Sequence, residues 1–324
     1  MVRLLSITFA VVIAASAAVA QTSDAGWPDR PIRLVVPFPA GSSTDIITRI
    51  IAQKLGNRLG QQIVIENRAG ASGNIGADAI AKAAPDGTTI GIATASTHAV
   101  AASLSANLPY DPIKDFAPVA MLGSQPYVLV VYPGIPARNL AELVALAKAK
   151  PATLNYGSAG VASLAHLATA LFASMAGVDI IHVPYKSSSQ SMTDMITGRM
   201  DMQFATIAPS LPNIHAGLLR ALVTSGKKRS TVLPEVPTVA EAGIAGYEAS
   251  LWVSFVMPPA TPPAIVRRLN REVNEILESA EGKEALVAQG LEPEPGPPEA
   301  LTERIRSDIE KWRGVVAKAG IKAE

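Results

Sequence analysis

The sequence predicts an α/β protein of two doubly wound domains joined by a hinge, with an interdomain cleft between them. Three observations predict it. Residues 32–93 read as strand, helix, strand, helix, strand with short loops, which implies a parallel sheet with right-handed crossovers. A second series of the same kind starts afresh near residue 140 and ends near 224. Extended stretches at 123–126 and 233–257 link the two, so the second series is inserted into the first. The expected division is 27–124 with 233–324 as one domain and 125–232 as the other.

The chain opens on a removable address. Arg3 supplies a positive start, residues 4–12 an apolar core and Ala18-Val19-Ala20 an A-x-A cleavage site, so residues 1–20 are expected to be a signal peptide. Its apolar part is too short and too rich in Ala and Ser for a membrane span. The sequence has no cysteine, which excludes disulfide staples and the lipid-anchored variant of such a signal. A mature chain starting near Gln21 is expected to be exported and free in solution. Its formal charge is zero, because the +1 of the whole chain leaves with Arg3. Neutrality, 5% aromatic residues and the lack of a basic run argue against nucleic acid or an anionic membrane as partner.

In order, the apolar run 32–36 reads as a buried strand and 46–59 as a helix with Gly56 and Gly60 as stop signals. Residues 62–66 alternate as a strand, 67–74 form a Gly-rich loop and 75–84 are helical. Pro85-Asp86-Gly87 is a tight turn before a third strand, 89–93, which ends in the polar cluster Thr94, Ser96, Thr97 and His98. Strands at 117–122 and 127–132 flank a crossing at Gly123-Ser124-Gln125-Pro126. The second series runs helix 140–148, strand 154–156, loop 157–163, helix to 175, strand 180–183, helix 189–197, strand 200–206, helix 209–216 and strand 219–224. After the Pro-rich break at 233–237 come a long extended run, 247–257, and an amphipathic helix, 264–279, with Ile265, Leu269, Val273 and Ile276 on one face. A last helix covers 299–318.

Two loops stand out. Ala40, Gly41, Ser42, Ser43, Thr44 and Asp45 lie where the first strand gives way to a helix. Such a junction presents backbone N–H groups and a helix dipole to an anion. The three hydroxyls add donors, and Asp45 can cap the helix. Alone, this pattern is equally an ordinary N-cap. The loop 157–163 occupies the matching junction of the second series, and two such loops facing one cleft favour an anion site.

Catalysis and cofactors find less support. Ser158 in Tyr156-Gly157-Ser158-Ala159-Gly160 resembles a nucleophile elbow but lacks the glycine two positions earlier. His166 is its nearest histidine partner in sequence, with Asp179 or Asp194 as the only orienting acids to hand. No metal-binding spacing occurs, and the glycines at 70, 73 and 76 do not make a nucleotide loop, so no cofactor and no metal are expected. Glu66, Asn67 and Arg68 read as turn or ion-pair residues, Trp252 as core or hinge packing. Asp308 and Arg304 read as an i,i+4 pair on a solvated face.

A set of residues in fixed order resembles a known family. It comprises Pro31-Ile32-Arg33-Leu34-Val35-Val36-Pro37-Phe38-Pro39-Ala40-Gly41, Thr44-Asp45, Val64-Ile65-Glu66-Asn67-Arg68-Ala69-Gly70 and Pro85-Asp86-Gly87. Further members are Tyr110-Asp111-Pro112, Asp115-Phe116, Asn155-Tyr156, Ser158, Gly160, Ser163, His166-Leu167 and His182-Val183-Pro184-Tyr185-Lys186. Leu233-Pro234-Glu235-Val236-Pro237-Thr238 and Glu241-Ala242-Gly243 complete it. The set resembles the Bug-type proteins, the periplasmic solute receptors of tripartite tricarboxylate transporters, over essentially the whole mature chain.

The resemblance implies a two-domain periplasmic binding protein type II fold without catalysis. It implies a small carboxylate ligand held by Ala40, Gly41, Ser42, Ser43, Thr44 and Asp45 on one side and Ser158, Gly160, Ser163 and His166 on the other. Thr97 and Thr206 would form side walls, and Phe38 would cover an apolar part of the ligand. Transporter membrane subunits are the implied partners, and a periplasmic monomer is expected. Four positions depart from the family pattern. Ser42 and Ser43 replace glycines, Ala162 stands where Gly is usual, and Ser187 follows Tyr185-Lys186 in place of Gly. Thr206 lacks the acidic group that could meet an ammonium, which favours a carboxylate without an amino group. The sequence leaves open a secreted hydrolase using Ser158 and His166, and a receptor that signals to a sensor kinase.

Overall fold

The computed structural model describes residues 26–104, 107–161 and 163–321. The expected signal peptide and Ala162 lie outside the described residues.

The first series folds as β1 (Ile32–Val36), α1 (Ser43–Leu59), β2 (Ile63–Asn67), α2 (Asn74–Ala81) and β3 (Thr89–Thr94). A five-residue turn of wide helix, Ser96–Val100, runs on into the short α3 (Ala101–Leu104). Next come β4 (Ala117–Val131), α4 (Leu140–Ala149), β5 (Asn155–Ser158), α5 (Leu164–Ala176), β6 (Ile181–Pro184), α6 (Ser188–Ile196), β7 (Met202–Thr206), α7 (Ile207–His215) and β8 (Arg220–Thr224). The chain returns through β9 (Ser250–Met257), α8 (Pro263–Glu278), α9 (Ala280–Val287), β10 (Glu292–Pro293) and α10 (Pro298–Ala319).

Strand pairing shows how the two halves join. β1 pairs in parallel with β2 and β3, and β5 pairs in parallel with β6 and β7. β4 links the two sets. Its first part, to Pro126, pairs antiparallel with β9; its second part, from Tyr127, pairs antiparallel with β7 and β8. The sequence pattern predicts two strands here because Gly123 and Pro126 usually end one. The structure keeps one strand because each residue sits where it does no harm. Pro126, with no N–H, is the last residue opposite β9 at the point where β4 changes partner. Gly123 faces β10 so closely that a Cβ there would lie 2.3 Å from the Glu292 carbonyl oxygen.

β1 is buried on both faces except at half-buried Arg33, as suits a strand covered on both sides. One face receives Ile47, Ile51 and Leu55 of α1 together with Leu269, Val273 and Ile276 of α8. The other belongs to a cluster that continues into the second half, from Ala77 and Ile80 of α2 to Phe172 of α5, Phe204 of β7 and Trp312 of α10. Burying each such side chain stabilises the fold by about 1.5–3 kcal/mol. The two halves therefore share one apolar cluster, and Phe38 of the loop after β1 packs against the other.

Candidate functional site

The first loop leaves β1 through buried Pro37 and half-buried Phe38, then exposes Pro39, Ala40 and Gly41. Gly41 has φ +78°, which glycine adopts without strain. Ser42 is the N-cap of α1 and its Oγ accepts from the Asp45 amide at 3.3 Å. The amides of Ser43 and Thr44, at the first two helical positions, have no acceptor among the described residues. They leave two donors at the positive end of a seventeen-residue helix.

Asp45 builds this loop. It is 1% exposed, and its carboxylate accepts from the Gly41 amide, Arg49 Nε and Asn67 Nδ2, each at 2.9 Å. Burial works to raise its pKa, and the bonds from Arg49, Asn67 and Gly41 outweigh that and hold it below the usual carboxylate range. A carboxylate so held is a scaffold for the loop in which it lies. Asn67 completes the knot by donating also to the Phe38 carbonyl at 3.0 Å.

Ser43 Oγ donates at 3.0 Å to Oε1 of Gln125, a fully buried residue of β4, whose Nε2 donates at 2.7 Å to the Gln289 carbonyl. Gly290 follows, and a Cβ there would come within 3.8 Å of the Ala208 amide nitrogen and 3.6 Å of Ile207 Cβ. Gln125 thus ties the start of α1 to the turn at Gln289-Gly290, which borders the start of α7. Sequence reading placed the crossing at Gln125 without seeing this role, because a lone glutamine in a Pro/Gly stretch carries no spacing signal. Thr206 precedes α7 as its N-cap, opposite Tyr127 of β4, and its hydroxyl makes no capping bond.

Thr97, the expected side wall, is held from within. It is fully buried, and its hydroxyl bonds the Thr94 amide at 3.1 Å and His98 Nδ1 at 2.9 Å. It meets the site through its methyl group, which with the Phe38 ring closes on Gly73; a Cβ at Gly73 would lie 2.7 Å from Thr97 Cγ2 and 3.3 Å from the ring. Phe38 and Thr97 thus meet at Gly73.

The second loop leaves β5 at Ser158, turns at Gly160 (φ +110°) and enters α5 at its N-cap Ser163. Ser163 Oγ accepts from the His166 amide at 3.3 Å, and the Leu164 and Ala165 amides have no acceptor among the described residues. Ser158 is fully buried and its Oγ lies 2.9 Å from Gly160 O, 3.2 Å from Gly160 N and 2.7 Å from His182 Nε2. Its hydroxyl is thus engaged within the protein by three groups. Its histidine is His182 and not His166. His166 instead stacks on the His182 ring at 3.9 Å and 7°. Burial lowers both histidines to about 4, with the charge of His182 adding to the effect on His166, so both are neutral at pH 7.

The structure thus brings Phe38, Ala40, Gly41, Ser42, Ser43 and Thr44 together at one helix start, and Ser158, Gly160, Ser163 and His166 at another. Each helix start offers two amides with no acceptor among the described residues, and neither loop contains Lys or Arg. No group of three or more His, Cys, Asp or Glu positioned for a metal occurs among the described residues. No helix among them is long and apolar enough to cross a membrane.

Residues 47–321 match the family model described as tripartite tricarboxylate transporter family receptor. Protein BugT of Bordetella pertussis is 39% identical over 99% of both chains. A structure of an R. palustris protein with adipate superposes with a TM-score of 0.85 at 38% identity, covering 91% of this chain and 99% of that one. MatC from Rhodopseudomonas palustris with bound malate gives 0.80 at 32% identity, covering 90% and 100%. The expected fold class is confirmed by these neighbours: a mixed α/β binding-protein fold of two domains.

Proposed function

The chain belongs to the tripartite tricarboxylate transporter receptor family, and from that premise we propose that it captures a small carboxylate between its two helix-start loops and delivers it to the membrane subunits of a transporter. Proteins of this family and its structural neighbours are solute receptors and not enzymes. The observation that carries the proposal is the pair of unpaired amides at the start of α1 (Ser43, Thr44) matched by the pair at the start of α5 (Leu164, Ala165). Four N–H groups and two helix dipoles neutralise an anion by partial charges, with no cation in either loop.

In this account the binding set is Phe38, Ala40, Gly41, Ser42, Ser43, Thr44, Gly160, Ser163, His166 and Thr206, with Asp45, Thr97 and Ser158 as its supports. Residues 27–124 with 233–324 move against 125–232, and closing them over the ligand removes it from water. The receptor works in the periplasm as a monomer after cleavage behind Ala20. Adipate and malate, the dicarboxylates held by two relatives, are the first probes. Calorimetry and thermal shift with a panel of mono-, di- and tricarboxylates test the proposal. A shift with at least one carboxylate and none with the matching amide is expected; silence across the panel would overturn it.

A further inference from the structure

We propose that His182 is a positioning residue for the second loop: its ring N–H holds the Ser158 hydroxyl, and that hydroxyl fixes both ends of the Gly160 residue at the turn into α5. The inference rests on reading that loop as half of the anion site, and it assigns a role to a side chain outside the loop itself.

Ser158 Oγ has one hydrogen and two lone pairs, and three groups surround it. The Gly160 amide can only donate and the Gly160 carbonyl can only accept. All three contacts are satisfied together when Oγ–H donates to the carbonyl and Oγ accepts from the amide and from His182 Nε2–H. The imidazole is therefore the Nε2–H tautomer, and it acts as a donor. A serine in this arrangement is a bracket, not a nucleophile, since its histidine is not placed to remove its proton.

The ring is itself held. Tyr156, its register partner on β5, stacks on one side at 4.9 Å and 25°, and His166 of α5 stacks at 3.9 Å and 7°. His182 consequently touches the start of the loop through Ser158 and the first turn of α5 through His166. One ring sets the spacing between the Gly160 turn and the helix start that carries the unpaired Leu164 and Ala165 amides. The end of β6 closes the third side, where the Tyr185 amide donates to the Ser158 carbonyl at 3.1 Å. Burial keeps the ring neutral at pH 7, the form in which a single tautomer can be selected.

The test uses the mature chain and three variants. His182→Phe keeps a flat ring between Tyr156 and His166 and removes the donor. His182→Gln restores an N–H at similar reach, and Ser158→Ala removes the bracket. Amide hydrogen exchange at Gly160, measured without ligand, should rise about tenfold in His182→Phe and in Ser158→Ala, and no further in the double variant. His182→Gln should stay within about threefold of wild type, and adipate affinity should follow the same order. Unchanged exchange in His182→Phe, or a His182→Gln variant as impaired as His182→Phe, overturns the proposal. A wild-type protein that binds no carboxylate would refute the receptor function instead, and the exchange data would still decide the role of His182.

Discussion

Ser43 Oγ donates a 3.0 Å hydrogen bond to Gln125 Oε1, joining the start of α1 to the strand that crosses between the halves. Gln125 is fully buried and also supports the Gln289 carbonyl. Replacing it with leucine strands two polar partners and is expected to cost about 2–3 kcal/mol, whereas Ser43→Ala costs about 1 kcal/mol. Because the two substitutions remove one shared bond, the double variant should be more stable than their sum implies. Urea denaturation of the four proteins checks this, and strict additivity would contradict it.

Asp45→Asn should destabilise the protein at pH 7 by about 1–3 kcal/mol, since a buried carboxylate that accepts charge-assisted bonds is replaced by a neutral amide. The folded pKa of Asp45 lies below its ordinary value. Its contribution is therefore present above the unfolded pKa and is lost as pH falls through the folded one. The gap between wild type and variant should close only below about pH 4. A gap that closes near neutrality would contradict the assignment.

The histidine stack gives a separate window. His166 and His182 titrate near 4 when folded and near 6.5 when unfolded, so above 6.5 they add no pH dependence. Between those values the unfolded chain takes up protons that the folded protein refuses, and stability falls with pH by up to about 1.4 kcal/mol per unit for each ring. Below about 4 the loss levels off. Denaturation curves from pH 7 to 4.5 should show this slope, to which buried His98 also adds, and His166→Gln should make it shallower by one ring's share. An equal slope in the variant would show that the ring is solvated.

The α/β series and both loops were legible from the residues because each rests on local pattern, apolar runs and small-residue turns; the cap of α1 falls to Ser42 where the sequence offered Asp45. What local pattern cannot show is where a polar group finds its partner. Asp45 reads as a candidate contact because it sits in the loop, yet Arg49 and Asn67 claim it. Ser158 pairs with a histidine on the next strand, 24 residues away, and not with His166 eight residues along. Asp308 reads as solvated and is 5% exposed, accepting from the Trp252 indole at 2.7 Å. The continuity of β4 was hidden for the same reason, since only its change of partner explains a proline at 126.

Asp308→Ala is accordingly expected to cost about 2–3 kcal/mol by leaving a buried indole N–H without an acceptor. An exposed i,i+4 pair with Arg304 would be worth only a few tenths. Chemical denaturation distinguishes the two, and a loss under about 0.5 kcal/mol would place the pair on the surface.

The central claim is that the unpaired backbone amides at the start of α1 bind a carboxylate. Ser43 occupies the first helical position, where proline is well tolerated, and Ser42 already has the extended backbone (φ −67°, ψ 157°) that a following proline requires. Ser43→Pro therefore deletes one amide donor while keeping the helix, and Ser43→Ala controls for the lost hydroxyl. Isothermal titration of both folded variants with adipate, or with whichever carboxylate of the panel binds, is the most direct measurement. Binding at least tenfold weaker in Ser43→Pro than in Ser43→Ala is expected for loss of a charge-assisted bond. Equal affinity in the two variants would contradict the account.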